Sequence, residues 1–395
     1  MAANPEAPRI RRTTRDPEQL ARRLAAWLTA VLPGARPTAV TVPDSNGMSS
    51  ETLLFDIEQD DAAAPPPVRR CVLRLAADPH AYTVFPAYDM TRQYKVMRLV
   101  AAHTDLPVPA VHWLETDPAH LGAEFFVMER VEGRVPPDVM PYTYEGNWLH
   151  AATDAEREQL EHASVSILAR LHDQVAVSEA GFLAGRGSGS PLRRHVEDLQ
   201  TYYGWVVDGR PHSPVIEAAF ARLEELWPTD EGETVVSWGD ARIGNIIYDG
   251  FEPTAVLDWE MAALGPRELD LAWAIYLHRF FHDLTVTLGQ EGLPGFFQRA
   301  AVEERYAKLT GYTPRDMDFH TLYACLRHAI VMLRVGYRQI HFGEVAAPRH
   351  AGYPHGMTIT ARGLAVGVGF GAATSLVNAL SSPYVELGMP LTGTV

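Results

Sequence analysis

The β-type segments of this chain are concentrated before Gly133, whereas helical patterns dominate after it. Short runs rich in β-branched and aromatic residues come first, namely TAVTV, ETLLFDIE, RCVLRL, AVHWLE and EFFVMER. Turn-forming residues separate most of them, and a single helical segment, from about Asp89 to His103, interrupts the series. Residues 38–133 are therefore predicted to form a small sheet that carries one helix.

A further helix is predicted before this sheet. Asp16 followed by Pro17 is typical of a helix start, because the aspartate caps free amide groups and the proline fits the first helical position. Apolar residues then recur at helical spacing until Pro33, at Leu20, Leu24, Trp27, Leu28 and Val31. We assign residues 1–37 to an N-terminal helical extension.

Beyond Gly133, amphipathic patterns predict helices with three short strands between them. The helices are expected near residues 153–172, 191–207, 214–227, 268–282, 296–308 and 316–340, and the strands are TVVSW, NIIYD and TAVLDW. A strand-rich part followed by a helix-rich part predicts an α+β fold. Its two lobes are the N-lobe at residues 38–133 and the C-lobe at residues 134–395.

Three polar residues lie at or near the ends of the short strands of the C-lobe. Asp240 follows TVVSW, Asn245 begins NIIYD, and Asp258 lies at the end of TAVLDW. A hairpin between these strands would bring all three side chains to one edge. Such a group of oxygen atoms suits Mg²⁺, which is usually bound through one or two carboxylates together with substrate phosphates.

This grouping suggests a division of chemical roles. Asn245 and Asp258 are predicted to bind Mg²⁺ that bridges the phosphates of a nucleotide, while Asp240 accepts a proton from an attacking hydroxyl group. The alternative is structural, because each aspartate could cap a turn and Asn245 could adopt a left-handed conformation.

The paired motifs WGDARIGN and VLDWE, followed by ELDLAW, resemble those of the aminoglycoside phosphotransferase family, the small-molecule branch of the protein-kinase-like fold. The similarity extends from about residue 40 to residue 340 and includes DMTRQYKVMRLV, HTDLPVP and FFVMERVEGRVPPDVMPYT, which actinobacterial phosphotransferases share. The resemblance implies a bilobal fold with a small antiparallel N-lobe sheet, one N-lobe helix and a larger, mainly helical C-lobe. It also implies a kinase that uses ATP or GTP with Mg²⁺ to phosphorylate a hydroxyl group of a small molecule.

The resemblance also assigns roles to individual residues. Asp240 is the expected base, Asn245 and Asp258 are the expected Mg²⁺ ligands, and Asp270 of ELDLAW is expected to brace the catalytic loop. Nucleotide-binding residues are expected in the loop over the phosphates, in the strand–helix pair that anchors them, and in the hinge between the lobes. They are Ser45, Gly47, Ser49 and Ser50 in the loop, Arg74 and Gln93 in the pair, and Met128, Glu129 and Val131 in the hinge.

Three positions depart from the usual pattern of this family. Trp238 stands where a histidine usually precedes the Gly-Asp pair, and it can pack against the loop without reproducing every hydrogen bond of an imidazole. Arg74 replaces the phosphate-anchoring lysine, and Gln93 replaces its glutamate partner. Arginine binds phosphates well, but a neutral glutamine holds it more weakly than a glutamate would.

These departures leave two hypotheses of different classes, an active small-molecule kinase and a nucleotide-binding pseudokinase or scaffold without efficient catalysis. A protein kinase is disfavoured, because the helical segment ELDLAWAIYLHRF follows Asp258 almost at once and leaves no room for a long activation segment.

The composition limits which binding partners and which cellular compartment are expected for this chain. The net charge of −15, from 34 basic and 49 acidic residues, disfavours binding to nucleic acid through a basic face. Neither Cys71 nor Cys325 belongs to a metal or disulfide motif, and no apolar leader begins the chain, which favours the cytoplasm. The uncharged stretch Gly363–Tyr384 is predicted to be a buried or loosely ordered segment rather than a membrane span, because it lacks flanking basic anchors.

Several acceptor classes are compatible with the sequence, namely aminoglycosides, macrolides, nucleoside antibiotics and hydroxyacyl thioesters, and the oligomeric state is open. Aromatic residues of the C-lobe helices are predicted either to line an acceptor pocket or, as helical spacing favours, to pack in the core. They are Tyr202, Tyr203, Trp205, Trp273, Tyr276, Phe280 and Phe281.

Overall fold

The computed structural model describes residues 15–43, 50–59, 68–78, 81–185 and 187–344. Three residues of the expected phosphate loop, Ser45, Gly47 and Ser49, lie outside this described part of the chain, as does Gly363–Tyr384. Among the residues that are described, no helix is both long and apolar enough to cross a membrane.

The first half of the chain carries an antiparallel sheet of five strands in the spatial order β1-β2-β3-β5-β4. Its strands are β1 (Ala35–Thr41), β2 (Glu51–Gln59), β3 (Arg70–Leu75), β4 (Val111–Glu115) and β5 (Phe125–Glu129). Side chains of β2 alternate between a buried face and a more exposed face, as the period of a strand requires. The predicted antiparallel sheet is confirmed.

Helix α1 (Pro17–Val31) packs against this sheet. The carboxylate of Asp16 caps the helix by accepting a hydrogen bond from a first-turn amide at 3.0 Å. The ring of Trp27 lies edge-on to that of Phe125, with 4.9 Å between the centroids. Because α1 shares its core with the sheet and β1 begins at Ala35, the predicted boundary after residue 37 falls inside β1.

Helix α2 (Met90–His103) is the single helix expected between the strands, and it packs against β4 and β5. Asp89 caps it by accepting a hydrogen bond from the amide of Arg92 at 2.7 Å. The guanidinium of Arg92 donates to the backbone carbonyls of Leu183 and Ala262 at 3.3 and 2.7 Å. Helix α2 therefore ties the sheet to the helical part of the molecule.

The rest of the described chain is mainly helical, as predicted. The helices are α3 (Asp154–Gln174), α4 (Pro191–Val206), α5 (Pro214–Glu225), α6 (Glu268–Thr287), α7 (Arg299–Thr310) and α8 (Met317–His341). Two antiparallel strand pairs lie among them, β6 with β9 and β7 with β8. These strands are β6 (Thr234–Ser237), β7 (Ile246–Asp249), β8 (Glu252–Val256) and β9 (Ala263–Pro266).

Among the strands of the described chain, β9 is the one that sequence patterns do not predict. Its sequence, ALGP, ends in a Gly-Pro pair that is typical of a turn. It forms because its backbone pairs with β6 along the whole length of both strands. This pairing places the chain after Asp258 beside the chain that leads to Asp240.

Candidate active site

Asp240 lies in the loop between β6 and β7, where three side chains hold its carboxylate. Its Oδ2 accepts hydrogen bonds from Nδ2 of Asn245 at 2.6 Å and from Nε of Arg242 at 3.2 Å. Its Oδ1 accepts a hydrogen bond from Nε1 of Trp273, on α6, at 2.7 Å. Because 15% of the side chain remains exposed, this carboxylate is held in place but still open to the solvent.

The same partners set the charge of Asp240. Burial by itself raises the pKa of the carboxyl, but the positive charge of Arg242 and the hydrogen bonds from Trp273 and Asn245 outweigh it. The pKa of Asp240 therefore lies below its ordinary value, and the group is ionised near neutral pH. An ionised carboxylate is the form that accepts a proton.

Asn245 ends this loop and is buried. Its Nδ2 also donates to the backbone carbonyl of Asp240 at 3.1 Å, so the amide oxygen Oδ1 takes no part in these two bonds. Its backbone carbonyl accepts a hydrogen bond from the amide of Leu257 at 2.9 Å. That bond brings the residue before Asp258 alongside the loop, and the structure thus places Asp240, Asn245 and Asp258 together.

Asp258 follows β8 in a left-handed backbone conformation, with φ 59° and ψ 60°. Non-glycine residues adopt this conformation infrequently, aspartate more often than most, and such residues cluster at functional sites. The carboxylate is 22% exposed, and its Oδ1 accepts a hydrogen bond from Nη2 of Arg74 at 3.1 Å. Asp258 therefore presents an accessible carboxylate toward the sheet.

Arg74 extends from β3 and forms a different contact from the one expected. Gln93 is buried on α2, 3% exposed, and within the described part of the chain no hydrogen bond joins it to Arg74. The Arg74–Asp258 ion pair takes the place of the expected Arg74–Gln93 contact. The physical reason is that a guanidinium binds a carboxylate more strongly than a neutral amide.

Asp270, near the start of α6, holds the chain that leads to Asp240. Its two buried oxygens accept hydrogen bonds at 2.7 to 3.1 Å from the hydroxyl of Ser237, the amides of Trp238 and Gly239, and Nε2 of His172. Burial alone raises the pKa of Asp270, but the partner His172 and the two amides lower it overall. One carboxylate thus fixes three consecutive residues of the loop.

The residues just before Asp240 are shaped for close packing. A side chain at Gly239 would place its Cβ 2.1 Å from the backbone oxygen of Met261, and the backbone there is left-handed with φ 86°. Trp238 is buried, and its Nε1 donates to the carbonyl of Leu257 at 2.9 Å. Trp238 therefore links the loop of Asp240 to the loop of Asp258, where the family usually has histidine.

The other expected nucleotide-binding residues in the described chain lie in the strands of the sheet or directly beside them. Ser50 is buried just before β2, and within the described residues its Oγ has no hydrogen-bond partner. Met128 is buried in β5, and Glu129 ends that strand with its amide donating to the carbonyl of Ala110 at 2.8 Å. Val131 lies two residues beyond the strand, where the chain leaves the sheet.

Sequence reasoning missed Arg242 at the centre of the site, and it considered Trp273 only as an aromatic residue of the core or of an acceptor pocket. Arg242 and Trp273 both contact Asp240, and both lie inside the motifs WGDARIGN and ELDLAW, which was the available signal. Nη1 of Arg242 also contacts both carboxylate oxygens of Asp138 at 2.7 Å. The guanidinium carbon of Arg327 lies 4.6 Å from the centre of the Trp273 ring.

A small pocket opens beside Arg242, with aromatic and aliphatic walls. Its lining residues include Asp138, Tyr142, Arg242, Leu277, His278, Phe281 and Phe297. Of the aromatic residues considered for an acceptor pocket, Phe281 therefore lines a cavity. Most of the others are buried in the core or partly buried against it, namely Tyr202, Tyr203, Trp205, Tyr276 and Phe280.

The described residues do not contain a metal cage made by side chains alone. No three His, Cys, Asp or Glu residues in that part of the chain cluster in a way that could hold a metal ion. The acidic and amide oxygens near Asp240 are fewer than a complete coordination shell. A cation there would need further oxygen ligands from a bound molecule or from water.

A comparison with known protein families shows where this architecture occurs. The family model of the phosphotransferase enzyme family matches residues 45–312. This range includes strands β2 to β5 of the sheet, both loops of the candidate site and helix α6. Among curated proteins, the chain is 27% identical over 236 residues to the probable acyl-CoA dehydrogenase IBR3 of Arabidopsis thaliana, covering 58% of this chain and 27% of that protein.

A second curated relative, acyl-CoA dehydrogenase family member 11 of Gallus gallus, is 31% identical over 229 residues, which cover 56% of this chain and 27% of the relative. The match thus spans about a quarter of the length of these curated relatives.

Solved structures of phosphotransferases have the same fold. A protein of Ralstonia eutropha JMP134 assigned to the aminoglycoside phosphotransferases gives a TM-score of 0.62 at 20% identity, covering 91% of this chain and 98% of that one. Macrolide 2'-phosphotransferase type I gives 0.53 at 19% identity, covering 85% and 98%. A thermostable mutant of aminoglycoside phosphotransferase APH(4)-Ia, in a ternary complex with AMP-PNP and hygromycin B, gives 0.52 at 15% identity, covering 93% and 99%.

Proposed function

Because this chain belongs to the phosphotransferase enzyme family, we propose that it transfers the γ-phosphate of ATP or GTP to a hydroxyl group of a small molecule. The proposed base is Asp240, and the proposed Mg²⁺ ligands are Asn245 and Asp258. The expected division between an N-lobe and a C-lobe after residue 133 belongs to the same proposal. We place the activity in the cytoplasm, and the buried free thiols of Cys71 and Cys325 fit a reducing compartment.

The observation that carries this proposal is the junction between two loops. Asn245 donates to Asp240 through Nδ2, and its backbone is bonded to the residue that precedes Asp258. A candidate base and two oxygen ligands therefore converge where the loops meet. Turn-capping alone does not account for this arrangement, because Asp258 has no side-chain capping bond to the short helix that follows it and faces Arg74 instead.

The donor set fits a magnesium ion that also binds a nucleotide. Asn245 directs Nδ2 toward Asp240, so its Oδ1 is the atom that would bind the cation, and Asp258 would add a carboxylate oxygen. Mg²⁺ commonly takes one or two protein carboxylates and completes its shell with phosphate oxygens and water. When bound, it would neutralise charge on the phosphates.

The protein groups suit transfer to a hydroxyl. Asp240 would accept the proton of the acceptor hydroxyl, whose oxygen forms a bond to the γ-phosphorus. The bond from that phosphorus to the bridging oxygen breaks, and the nucleoside diphosphate leaves with the electron pair. Arg74 carries a permanent positive charge that would attract the phosphates once they compete for it with Asp258.

One observation favours a second candidate function, a nucleotide-binding protein without efficient transfer. Arg74 is paired with Asp258, the same carboxylate that the metal would need. If this ion pair persists in the nucleotide complex, the cation and the phosphates would not be held as in an active kinase. The two functions differ in whether nucleoside diphosphate is released from a bound nucleotide.

The names of the relatives suggest which acceptor classes should be tested. Structural neighbours are named for aminoglycoside and macrolide substrates, and curated relatives are named as acyl-CoA dehydrogenases. We propose that the acceptor lies among hydroxyl-bearing molecules of these three chemical types, the last being hydroxyacyl thioesters. The net charge of −15 gives mild support to a cationic acceptor.

The test is a phosphorylation screen with the purified chain, MgATP or MgGTP, and a panel that covers these three types. Mass spectrometry should find one acceptor heavier by a phosphate group, with stoichiometric release of the diphosphate. The Asp240→Asn variant should not form that product above a small residual rate. Nucleotide binding without any phosphorylated product in the panel would favour the second candidate.

A further inference from the structure

Arg242 joins two carboxylates that are far apart in the sequence. Its Nε donates to Oδ2 of Asp240 at 3.2 Å, and its Nη1 contacts both oxygens of Asp138 at 2.7 Å. The side chain of Arg242 is 21% exposed, whereas that of Asp138 is 42% exposed. The guanidinium therefore lies between the proposed base and a more exposed residue that lines the pocket.

The loop backbone leaves space for this guanidinium. A Cβ added to Gly244 would lie 2.3 Å from Nη1 of Arg242 and 3.0 Å from Oδ1 of Asp138. Any larger residue at position 244 would therefore push Arg242 away from its partners. The glycine is needed here for the close approach of a side chain, since it carries no left-handed φ in this structure.

The electrostatics agree with this geometry. Burial lowers the pKa of Arg242, but the negative charges of Asp138, Asp240 and Asp258 outweigh it and raise the pKa above its ordinary value. Arg242 is thus a permanent cation that faces all three acidic groups. Asp240 alone does not account for its position, because the shorter contacts are those with Asp138.

We propose that Arg242 is a positioning residue for Asp240 and that Asp138 holds Arg242 in place. This inference rests on the proposed function, since it assumes that Asp240 is the base. Asn245 and Trp273 each fix one oxygen of the carboxylate, and Arg242 adds a third bond that resists rotation. The acceptor hydroxyl must meet a carboxylate oxygen at hydrogen-bond distance, so the orientation of Asp240 affects the rate of transfer.

The Gly244→Ala variant tests this without removing any charge. Its Cβ should displace Arg242, and kcat should fall on the order of 10- to 100-fold, the cost of a misplaced catalytic group. The KM for nucleotide should change little, because Asn245, Asp258 and Arg74 are untouched. The matched control is Gly336→Ala on α8, where an added Cβ meets nothing within 4 Å, and its kcat should equal that of the wild type.

Two further variants keep the proposal testable if Gly244→Ala folds poorly. Asp138→Asn should lower kcat in the same direction by loosening Arg242, and Arg242→Lys should restore part of the activity that Arg242→Met loses. The control for Asp138→Asn is Asp318→Asn, which removes the carboxylate of an exposed ion pair with Arg299 that includes none of the site residues. A wild-type kcat for Asp138→Asn and Arg242→Met, or a higher KM with unchanged kcat, would overturn the proposal.

A measurement without substrate tests whether Arg242 bridges Asp138 and Asp240. Urea unfolding of Asp138→Asn, Asp240→Asn and the double variant forms a thermodynamic cycle in which Arg242 is the shared partner. We expect clear non-additivity, because the double variant leaves a partly buried cation without either carboxylate. Additive free energies of unfolding would contradict the bridge.

Failure of the proposed function has a different signature. In that case the wild type itself would form no phosphorylated product, or Asp240→Asn would keep the wild-type rate. If instead Asp240→Asn loses activity while the Arg242, Asp138 and Gly244 variants keep it, Asp240 remains the base and only the positioning role is wrong.

Discussion

Nη2 of Arg74 donates a hydrogen bond to Oδ1 of Asp258 at 3.1 Å, which ties strand β3 to the loop that follows β8. Both side chains are partly buried, at 15% and 22% exposure, so solvent screens the pair only in part. A nucleotide with Mg²⁺ that used Asp258 would have to weaken this contact. The freed guanidinium would then face the phosphates, and the ion pair thus competes with metal binding.

The first prediction concerns Asn245→Ala and Asp258→Ala, which should weaken ADP binding only when Mg²⁺ is present. Both remove an oxygen ligand of the cation, whereas neither removes a group that contacts the phosphates directly. In EDTA, Asp258→Ala should bind ADP at least as tightly as the wild type, because Arg74 loses its competing partner. Calorimetric titration of ADP with Mg²⁺ and with EDTA measures both effects.

Equal losses under the two conditions would show that these residues act structurally. The control is Asp249→Ala, which changes an exposed aspartate at the end of β7 and should leave ADP affinity unchanged with or without Mg²⁺.

The second prediction is that Asp240→Asn folds, binds MgADP and loses about two to four decades of kcat, the usual contribution of a general base. The asparagine keeps the shape of the side chain but cannot take a proton from the acceptor. Steady-state kinetics with the acceptor found in the screen gives kcat and KM separately. A wild-type kcat would remove Asp240 from the mechanism.

The order of strands and helices is predictable because its signals are local. The alternation of ETLLFDIE, the cap at Asp16 and the helical stripe after it each depend on residues close in sequence. Strand β9 is the exception, because ALGP becomes a strand only through its distant partner β6. Tertiary pairing decides that segment, so no local pattern predicts it.

The site, like the fold, is predictable from the sequence only in part. Asp240, Asn245 and Asp258 lie in short motifs beside strands, and a hairpin is enough to suggest their proximity. The partner of Arg74 is different, because Asp258 lies 184 residues further along the chain. The choice between Gln93 and Asp258 depends on distance and charge in three dimensions, and neither can be read from spacing.

The third prediction is that Asp270→Ala lowers the free energy of unfolding by about 3–5 kcal/mol, because it leaves several buried donors without an acceptor. These donors include the amides of Trp238 and Gly239, which precede the base. Urea unfolding followed by circular dichroism measures the change. Asp283→Ala on the same helix removes an exposed pair with Arg279 and should cost at most about 1 kcal/mol.

The fourth prediction is that stability declines as pH falls from about 6.5 to about 4, in part because of buried neutral histidines. Burial lowers the pKa of His278 and His320 to about 3, and that of His195 and His328 to about 4. Below pH 6.5 the unfolded chain binds protons that the folded chain excludes, so each group costs up to about 1.4 kcal/mol per pH unit.

His320→Leu is a suitable variant for this pH dependence, because Nδ1 of His320 has no hydrogen-bond partner among the described residues. The slope of unfolding free energy against pH near pH 5 should decrease by about one proton. An unchanged slope in urea titrations from pH 7 to pH 4.5 would show that His320 is not excluded from protonation in the folded state.

The last prediction concerns Arg74 and Gln93, which resemble a lysine–glutamate pair only in position. Arg74→Ala should raise the KM for nucleotide, because it removes a permanent positive charge from the phosphate side of the site. Arg74→Lys should be weaker than the wild type, since a lysine cannot form the planar fork and Gln93 offers it no charge. Adding Gln93→Glu should restore or improve kcat/KM, because a carboxylate on α2 would draw the ammonium away from Asp258 and toward the phosphates.

A double-mutant cycle on kcat/KM measures the coupling, and Arg74→Lys with Gln93→Met is the matched control that adds no charge. Additive effects, or equal rescue by glutamate and methionine, would show that these two positions do not act as a pair, and the Arg74–Asp258 contact would then be the one that governs the phosphate site.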